Sequence, residues 1–326
     1  MSFTIGVMFT AKGKTISRKT KTTTTTTAKK SPSRRKGNAS LKVLTADNLA
    51  KVPWLVHGFS TRNGGFSKPY GGAALNLGIT KEDTREAVER NREAFLKKLG
   101  APEWPIVHMH QVHSDVIYPI TAFPERTTDN DGKPLLVGDG LVTDIPGVLL
   151  AVKTADCMPV MIIDRKKRAV GVFHAGWRGT LRRIAEKGVG EMRRWFNSKP
   201  EDLHAALGPS IRNCCYSVGE EVRDKFQSQF AYADELFREW QTYEDIHLKY
   251  PLLFLTMRAP GHSELPYRIF LDLAEANRRQ LLAVGLRDKN IAVLPGCTSC
   301  DTKQFFSHRK EKGVTGRMMA VVGIRR

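Results

Sequence analysis

Two histidines and one cysteine, His113, Cys157 and His174, are the residues of this chain whose types could together bind a catalytic metal ion. Imidazole and thiolate are ligands that zinc prefers, and three protein ligands leave the fourth tetrahedral position open, as in catalytic zinc sites. Zinc held in this way lowers the pKa of bound water to about 7. The spacing alone matches no local metal motif, because gaps of 44 and 17 residues separate the three positions. A single cysteine in an apolar segment is commonly a packing residue.

The sequence around these residues strengthens the metal hypothesis. His113 ends the sequence QVH, Cys157 lies in ADCMP and His174 begins HAGWRG. Further motifs follow in order along the chain, at residues 59–65, 75–78, 139–140, 207–211, 215–219, 272–277, 297–300, 306–309 and 315–317. On these motifs the chain resembles the laccase-domain family, whose members were first described as multicopper polyphenol oxidoreductases and later recognised as zinc-dependent purine nucleoside phosphorylases.

The resemblance implies a site, an activity and a fold. It implies that His113, Cys157 and His174 are both the metal ligands and the catalytic residues, with zinc as the metal and copper as the alternative. It implies phosphorolysis of adenosine, inosine, guanosine and methylthioadenosine, with adenosine deaminase activity, so the partners are purine nucleosides and phosphate. We expect an α+β fold, a single domain with mixed β-sheets packed with helices, which resembles the cysteine hydrolase fold of deamidase toxins. We also expect a monomer.

Four other residues are candidates for substrate binding or for support of the metal. Phosphorolysis needs a positioned phosphate and stabilisation of the departing purine, so cations and donors should surround the metal. Arg62 precedes a glycine-rich turn, and Arg178 follows His174. Asn76 stands among apolar neighbours and is either a substrate ligand or a hydrogen-bonded buried amide. Asp156 either orients a ligating histidine through its second ring nitrogen or caps a turn.

The other four cysteines look structural in the sequence. Cys297 and Cys300 form a Cys-x-x-Cys pair, but no second pair of this spacing is present to complete a tetrahedral metal site. The adjacent Cys214 and Cys215 are expected to be packing residues. An odd total of five cysteines favours a reducing compartment, so we expect a cytoplasmic protein.

The first 40 residues are expected to form a disordered basic tail. Residues 1–46 contain eleven of the lysines and arginines behind the net charge of +19, and no acidic residue. Such a segment buries too little apolar surface to offset its ordering entropy. It is either a solubilising arm or an organellar transit peptide, which makes an organelle the alternative location. No apolar run is long enough to span a membrane.

The elements that must position the ligands can be predicted from hydrophobic periodicity. Residues 149–153, 160–164 and 169–173 are short β-branched apolar runs, which predict adjacent strands of a buried sheet. From Thr180, apolar residues recur at intervals of three and four, which predicts a helix with Thr180 as its N-cap. His174 therefore lies in a strand-to-helix turn.

Two further helices are predicted at residues 84–99 and 273–284. Asn277, on the second, is expected either to bond locally or to reach the substrate. No internal repeat or second linker is visible, so we expect one catalytic domain, the phosphorylase domain, from residue 41 to residue 326.

Three other functions remain open from the sequence. A copper-dependent polyphenol oxidase needs ligands for several ions, whereas three good ligands are visible. A metal-free pair of Cys157 and His174 is typical of an amide hydrolase, such as one that edits cell-wall precursors. A nucleic-acid binder would use the basic tail, with salt-dependent and unspecific affinity. Because the tail has few aromatic residues for base stacking, we expect no specific nucleic-acid partner.

Overall fold

Two six-stranded mixed β-sheets, packed face to face, form the centre of the computed structural model, which describes residues 40–130, 132–241 and 267–326. The strands of these residues are β1 (Val43–Leu44), β2 (Leu55–Ser60), β3 (Asn63–Ser67), β4 (Ile106–His110), β5 (Ile117–Ile120), β6 (Leu136–Val137), β7 (Gly140–Thr143), β8 (Leu149–Thr154), β9 (Met158–Asp164), β10 (Ala169–Ala175), β11 (Leu203–Leu207), β12 (Ser217–Val218), β13 (Phe237–Gln241), β14 (Tyr267–Leu271), β15 (Ile291–Val293) and β16 (Met318–Ile324). The α-helices are α1 (Asp47–Ala50), α2 (Arg85–Leu99), α3 (Trp177–Leu181), α4 (Ile184–Phe196), α5 (Glu220–Gln227) and α6 (Leu273–Ala283).

Each large sheet combines parallel and antiparallel pairs. The first has the order β1-β2-β16-β8-β4-β6, in which β4 pairs in parallel with β8 and β6. The second has the order β15-β11-β9-β10-β7-β5, in which the outer pairs are parallel. A small antiparallel sheet contains β12, β14 and β13. Mixed pairing of this kind confirms the α+β prediction.

Side-chain alternation along the strands creates three apolar layers. Leu150 and Val152 of β8 share a core between the two large sheets with Met161 and Ile163 of β9. The intervening residues of β9 face the opposite side of the second sheet, because successive side chains of a strand point to opposite faces. Both sheets are therefore buried on both faces.

Helices cover the two outer faces. Phe95 of α2 packs against Ala151 and Val321 of the first sheet. Residues of α4 and α6 share a core with β9 and β10 of the second sheet. The predicted helices at 84–99 and 273–284 are confirmed as α2 and α6, and the Thr84 side chain caps α2 by accepting a hydrogen bond from the Ala87 amide at 3.2 Å.

Two sequence predictions were wrong. The run at 149–153 is β8 of the first sheet, so it is not adjacent to β9 and β10, which pair with each other in the second sheet. A short apolar run does not indicate which strand it will pair with. The chain crosses from the first sheet to the second after β8. The helix predicted from Thr180 begins instead at Trp177 after Gly176, and it breaks at Arg183, which adopts a left-handed φ of 64°. Thr180 is buried inside α3 and caps nothing.

The N-terminal tail lies almost wholly outside the described residues. Residues 1–39 are not described, so its disorder and the predicted domain boundary stay predictions. Of the helices that the structure describes, none is long and apolar enough to cross a membrane.

Candidate active site

His113, Cys157 and His174 meet at one point in the structure. The Nε2 atom of His113 lies 3.7 Å from the sulfur of Cys157. The two imidazole rings are 5.0 Å apart between centroids, and one donor atom from each of the three residues falls within 4.8 Å of the others. The fold therefore brings together three residues that are far apart in the sequence.

The three donors come from the place where the two large sheets meet. His113 lies in the loop after β4 of the first sheet, and Cys157 lies in the crossing from β8 to β9. His174 is the last residue but one of β10, opposite Pro159 of β9. The site therefore depends on both sheets.

Asp139 orients the imidazole of His174 and holds the backbone of His113. Its Oδ1 atom lies 2.8 Å from Nδ1 of His174 and accepts a hydrogen bond from the His113 amide at 3.1 Å. Its Oδ2 atom accepts from the amide and hydroxyl of Ser114 at 2.6 and 2.7 Å. Burial opposes ionisation of Asp139, but the bonds from His174 and Ser114 outweigh it and lower the pKa to about 2. A carboxylate at Nδ1 leaves Nε2 of His174 as the free donor atom.

Charge complementarity favours a thiolate at Cys157. Burial alone would raise the pKa of this thiol, but His174 and His113 beside it lower the pKa to about 6. Burial lowers the pKa of His174, and Cys157 with Asp139 outweighs this effect and raises it to about 9. An anionic sulfur between imidazoles is a good ligand for a divalent cation.

The backbone around the donors is tightly constrained. A Cβ atom at Gly176 would lie 2.9 Å from Cδ2 of His113 and 3.0 Å from the sulfur of Cys157, so only glycine fits there without displacement. His113 and Asp156 adopt positive φ values of 59° and 93°, which are uncommon for residues with a side chain. Strained backbone of this kind is concentrated at functional sites.

The three donors line an open cavity of about 570 Å³. This volume lies within the usual range of ligand pockets. Four cationic side chains line the same cavity, namely Lys153, Arg178, Arg309 and Arg317. The aromatic rings of Trp177 and Tyr216 also line it, so it offers both charge and flat apolar surface.

Lys153 lies in a buried strand, and its pKa is lowered. It is the penultimate residue of β8, where its main chain exchanges two hydrogen bonds of 2.8 Å with the Gln111 side chain. Burial, with Arg92 and Arg317 nearby, lowers the pKa of the Lys153 ammonium to about 8. Hydrophobic periodicity did not single out Lys153, although a lysine inside a buried strand was visible in the sequence.

The structure does not bring Arg62 to this cavity. The guanidinium of Arg62 is held by Glu311 at 3.0 Å and by the carbonyl oxygens of Thr302 and Tyr70 at 2.6 and 2.9 Å. Its hydrogen-bonding groups are committed to the protein, which corrects the expectation that it binds phosphate.

Asn76 was predicted to be either a substrate ligand or a hydrogen-bonded buried amide, and the structure shows the second. It is fully buried, and its Oδ1 atom accepts from the amides of Gly78 and Arg317 at 3.1 and 2.8 Å. Its Nδ2 atom donates to Asp83 at 2.8 Å. Asn76 therefore positions two residues of the cavity wall instead of lining it.

Arg178 and Asp156 do line the cavity. The guanidinium carbon of Arg178 stacks 4.4 Å from the ring centroid of Trp177. Asp156 accepts from the Thr298 hydroxyl at 2.6 Å and from the Arg309 amide at 2.7 Å, so it organises loops and does not orient a histidine. That role belongs to Asp139, whose place in a matched motif at residues 139–140 was the only signal in the sequence.

Asn277 bonds locally. Its Nδ2 atom donates to the Thr180 hydroxyl at 3.0 Å and to the Leu273 carbonyl at 2.8 Å. Since it is fully buried between α3 and α6, it stabilises the scaffold behind the site.

Comparison with known proteins identifies the family of this chain. A family model described as multi-copper polyphenol oxidoreductase laccase matches residues 56–325. The chain belongs to this family. Membership in the laccase family confirms the resemblance drawn from the motifs, and the match covers every residue of the candidate site.

The chain is similar to two relatives and to one solved structure. It is 37% identical over 272 residues to the purine nucleoside phosphorylase YlmD of Geobacillus stearothermophilus, covering 83% of this chain and 90% of that protein. It is 32% identical over 264 residues to adenosine deaminase RL5 of an unknown prokaryotic organism, covering 81% and 92%. The crystal structure of YlmD from Geobacillus stearothermophilus superposes with a TM-score of 0.71 at 34% identity, covering 90% and 98%.

Proposed function

We propose that this protein is a zinc-dependent purine nucleoside phosphorylase that also deaminates adenosine. The supporting observation is the convergence of His113, Cys157 and His174 in a cavity with four cationic side chains. The names of the relatives point to the same two reactions. The proposed substrates are adenosine, inosine, guanosine and methylthioadenosine, with phosphate.

The donor set fits a catalytic zinc ion. Two imidazoles and one thiolate are the three-ligand arrangement that leaves a fourth position for a substrate or water. Asp139 holds the Nδ1 proton of His174 and so keeps Nε2 available, while Gly176 leaves space beside His113 and Cys157. When bound there, zinc supplies Lewis acidity next to the cavity.

The cations of the cavity fit a phosphate ion. Phosphate prefers guanidinium forks and ammonium groups, whose charge-assisted hydrogen bonds are the strong ones. Arg309 is anchored by hydrogen bonds from Nη1 to the carbonyl and hydroxyl of Ser217, at 2.8 and 3.1 Å. Within the part of the chain that the structure describes, Lys153 and Arg178 have no side-chain hydrogen bond or ion pair to a protein group. These two are the cations most available to bind phosphate.

The aromatic wall fits a purine base. Trp177 and Tyr216 line the cavity, and Ile211 adds apolar surface there. Purines stack on aromatic side chains, and such contacts hold a base without fixing which purine it is. A nucleoside could therefore lie with its base on this wall and its sugar toward the metal ligands.

Product identification tests the proposal. Purified protein, with its zinc content measured, is given inosine with and without phosphate, and adenosine in parallel. We expect hypoxanthine release only with phosphate, inosine formation from adenosine, and the loss of one zinc ion per chain and of both activities in His174→Ala. His110→Ala, a change of another cavity histidine outside the donor group, should keep the zinc.

Other outcomes identify the competing functions. Oxygen consumption with a phenol and copper, but no nucleoside turnover, would replace the proposal by a polyphenol oxidase. Activity on an amide substrate that survives removal of zinc but not Cys157→Ala would replace it by a thiol hydrolase. The monomeric state, the location in the cell and the finer resemblance to deamidase toxins stay predictions.

A further inference from the structure

The four remaining cysteines form a second cluster, which the sequence analysis missed. The sulfur of Cys300 lies 3.5 Å from that of Cys214 and 3.3 Å from that of Cys215. With Cys297, all four sulfur atoms lie within 4.8 Å of one another, and none of them is in a disulfide. The adjacent residues Cys214 and Cys215 are the second pair, which the sequence spacing does not reveal. The fold brings them to the Cys-x-x-Cys segment, although Cys215 and Cys297 are 82 positions apart.

We propose that Cys214, Cys215, Cys297 and Cys300 bind a second zinc ion, in a structural site with four thiolate ligands. Four protein ligands and no open position are typical of structural zinc, and an all-sulfur tetrahedral set selects zinc or iron–sulfur chemistry. Zinc to sulfur bonds of about 2.3 Å place tetrahedral sulfurs about 3.8 Å apart. The observed spacings are close to that value.

The loop around Cys297 places backbone groups beside its sulfur. The backbones of Arg212, Ser299 and Cys300 lie near enough to favour a negative charge on that sulfur. Backbone groups in such positions stabilise negative sulfur and orient it, as the outer-shell partners of metal ligands do. Cys297 itself is buried, whereas Cys214 and Cys300 are exposed, so the cluster opens to solvent on one side.

A nearby cation offsets part of the cluster's charge. Four thiolates and one zinc ion carry a net charge of about −2. The guanidinium of Arg212 interacts electrostatically with Cys214 and Cys297. It is anchored by hydrogen bonds to the carbonyl oxygens of Leu294 and Gly296 at 2.6 and 3.2 Å, which hold it beside the sulfurs.

A metal ion here would tie together two loops of the active-site cavity. One loop follows β11 and carries Ile211 and Tyr216 of the cavity wall. The other follows β15 and carries Thr298, whose hydroxyl donates to Asp156 at 2.6 Å, next to Cys157. The proposed zinc is therefore structural, and its effect on the reaction is to position these loops.

The metal content of variants tests this site separately from the catalytic one. We expect two zinc ions in the full chain by native mass spectrometry, and one in His174→Ala. Adding Cys300→Ser to His174→Ala should remove the remaining ion, whereas Ser299→Ala in the same loop should keep it. Because the count is made in a protein with a disabled catalytic site, it is independent of any enzymatic activity. A His174→Ala protein without zinc, or one whose zinc survives Cys300→Ser, would overturn the proposal.

A second measurement on the unmutated chain covers the case in which Cys300→Ser does not fold. With excess zinc, Cys214 and Cys300 should resist iodoacetamide despite their exposure, and chelation of the metal should make both reactive. In His174→Ala, whose catalytic site is disabled, cobalt in place of zinc should still add an intense thiolate-to-metal absorption band. Equal alkylation with and without zinc, or an intact mass lower by the two hydrogens of a disulfide, would exclude a four-thiolate metal site.

Discussion

The carboxylate of Asp139 and the imidazole of His174 lie 2.8 Å apart, and both are almost fully buried. This pair joins the start of β7 to the end of β10. It sets which ring nitrogen of His174 carries the proton and which is available to a metal ion. The tautomer of this candidate ligand thus depends on a residue 35 positions earlier in the chain.

The first prediction concerns this pair. Asp139→Asn keeps the size of the side chain but removes its charge, and an amide can also donate to Nδ1 and so favour the wrong tautomer. We expect zinc affinity to fall about 10- to 100-fold, measured by competition with a chelator. Asp164→Asn is the control, since Asp164 is equally buried but caps the turn at Lys166. Unchanged affinity in Asp139→Asn would show that the carboxylate only supports the fold.

The second prediction concerns pH and phosphate. Because the pKa of Lys153 is lowered to about 8, its positive charge is present at neutral pH and is lost as pH rises through that value. We expect the KM for phosphate to rise above pH 8, and Lys153→Met to raise it about tenfold at pH 7. Lys153→Arg stays charged and should remove the pH dependence.

The control for Lys153 is Lys166→Met, a change of an exposed lysine on the turn after β9. It should leave the phosphate KM unchanged at every pH. A profile for Lys153→Arg that follows the wild type would assign the pH dependence to phosphate itself or to another group.

The third prediction concerns Gly176. A methyl group there would contact His113 and Cys157, so we expect Gly176→Ala to lower zinc content and to reduce kcat/KM about a hundredfold. Gly190→Ala is the matched control, because no atom lies within 4 Å of the added group and the position is inside α4. That change should raise the free energy of unfolding by about 0.5 to 1 kcal/mol. Normal zinc content in Gly176→Ala would mean that the loop moves aside.

The fourth prediction separates Arg62 from phosphate binding. Arg62→Met removes the partner of Glu311 and leaves carbonyl oxygens without a donor, so we expect the free energy of unfolding to fall by about 2 to 3 kcal/mol. The phosphate KM of the folded fraction should not change. Urea unfolding and steady-state kinetics on the same preparation give both values. A raised KM with normal stability would restore Arg62 as a phosphate ligand.

The sequence predicted that His113, Cys157 and His174 belong to one site, and the structure brings them together, but it predicted their surroundings poorly. These three residues were singled out because each lies in a compact motif. Their role as metal ligands stays a prediction. Asp139 and Lys153 act on groups far along the chain, and nothing in local periodicity indicates which distant residue a side chain will meet. For the same reason the sequence did not predict the cluster of four cysteines. Neither the pair Cys214 and Cys215 nor the pair Cys297 and Cys300 indicates a metal site by itself.

Errors in the elements have a related cause. The apolar pattern of β8 gave a strand correctly, but its neighbour β16 is more than 160 residues away, so the sheet assignment failed. The start of α3 was placed too late because Gly176, which has no capping side chain, begins it.

The position of β16 also determines when the first sheet can form. This strand lies between β2 and β8, pairing antiparallel with each, and it is the last strand of the described chain. During synthesis on the ribosome, which proceeds from the N-terminal side, β2 and β8 must wait with unpaired edges until residues 318–324 emerge. Exposed strand edges are prone to aggregation. Closure of the first sheet therefore depends on residues 318–324, which must insert between two strands that are already present.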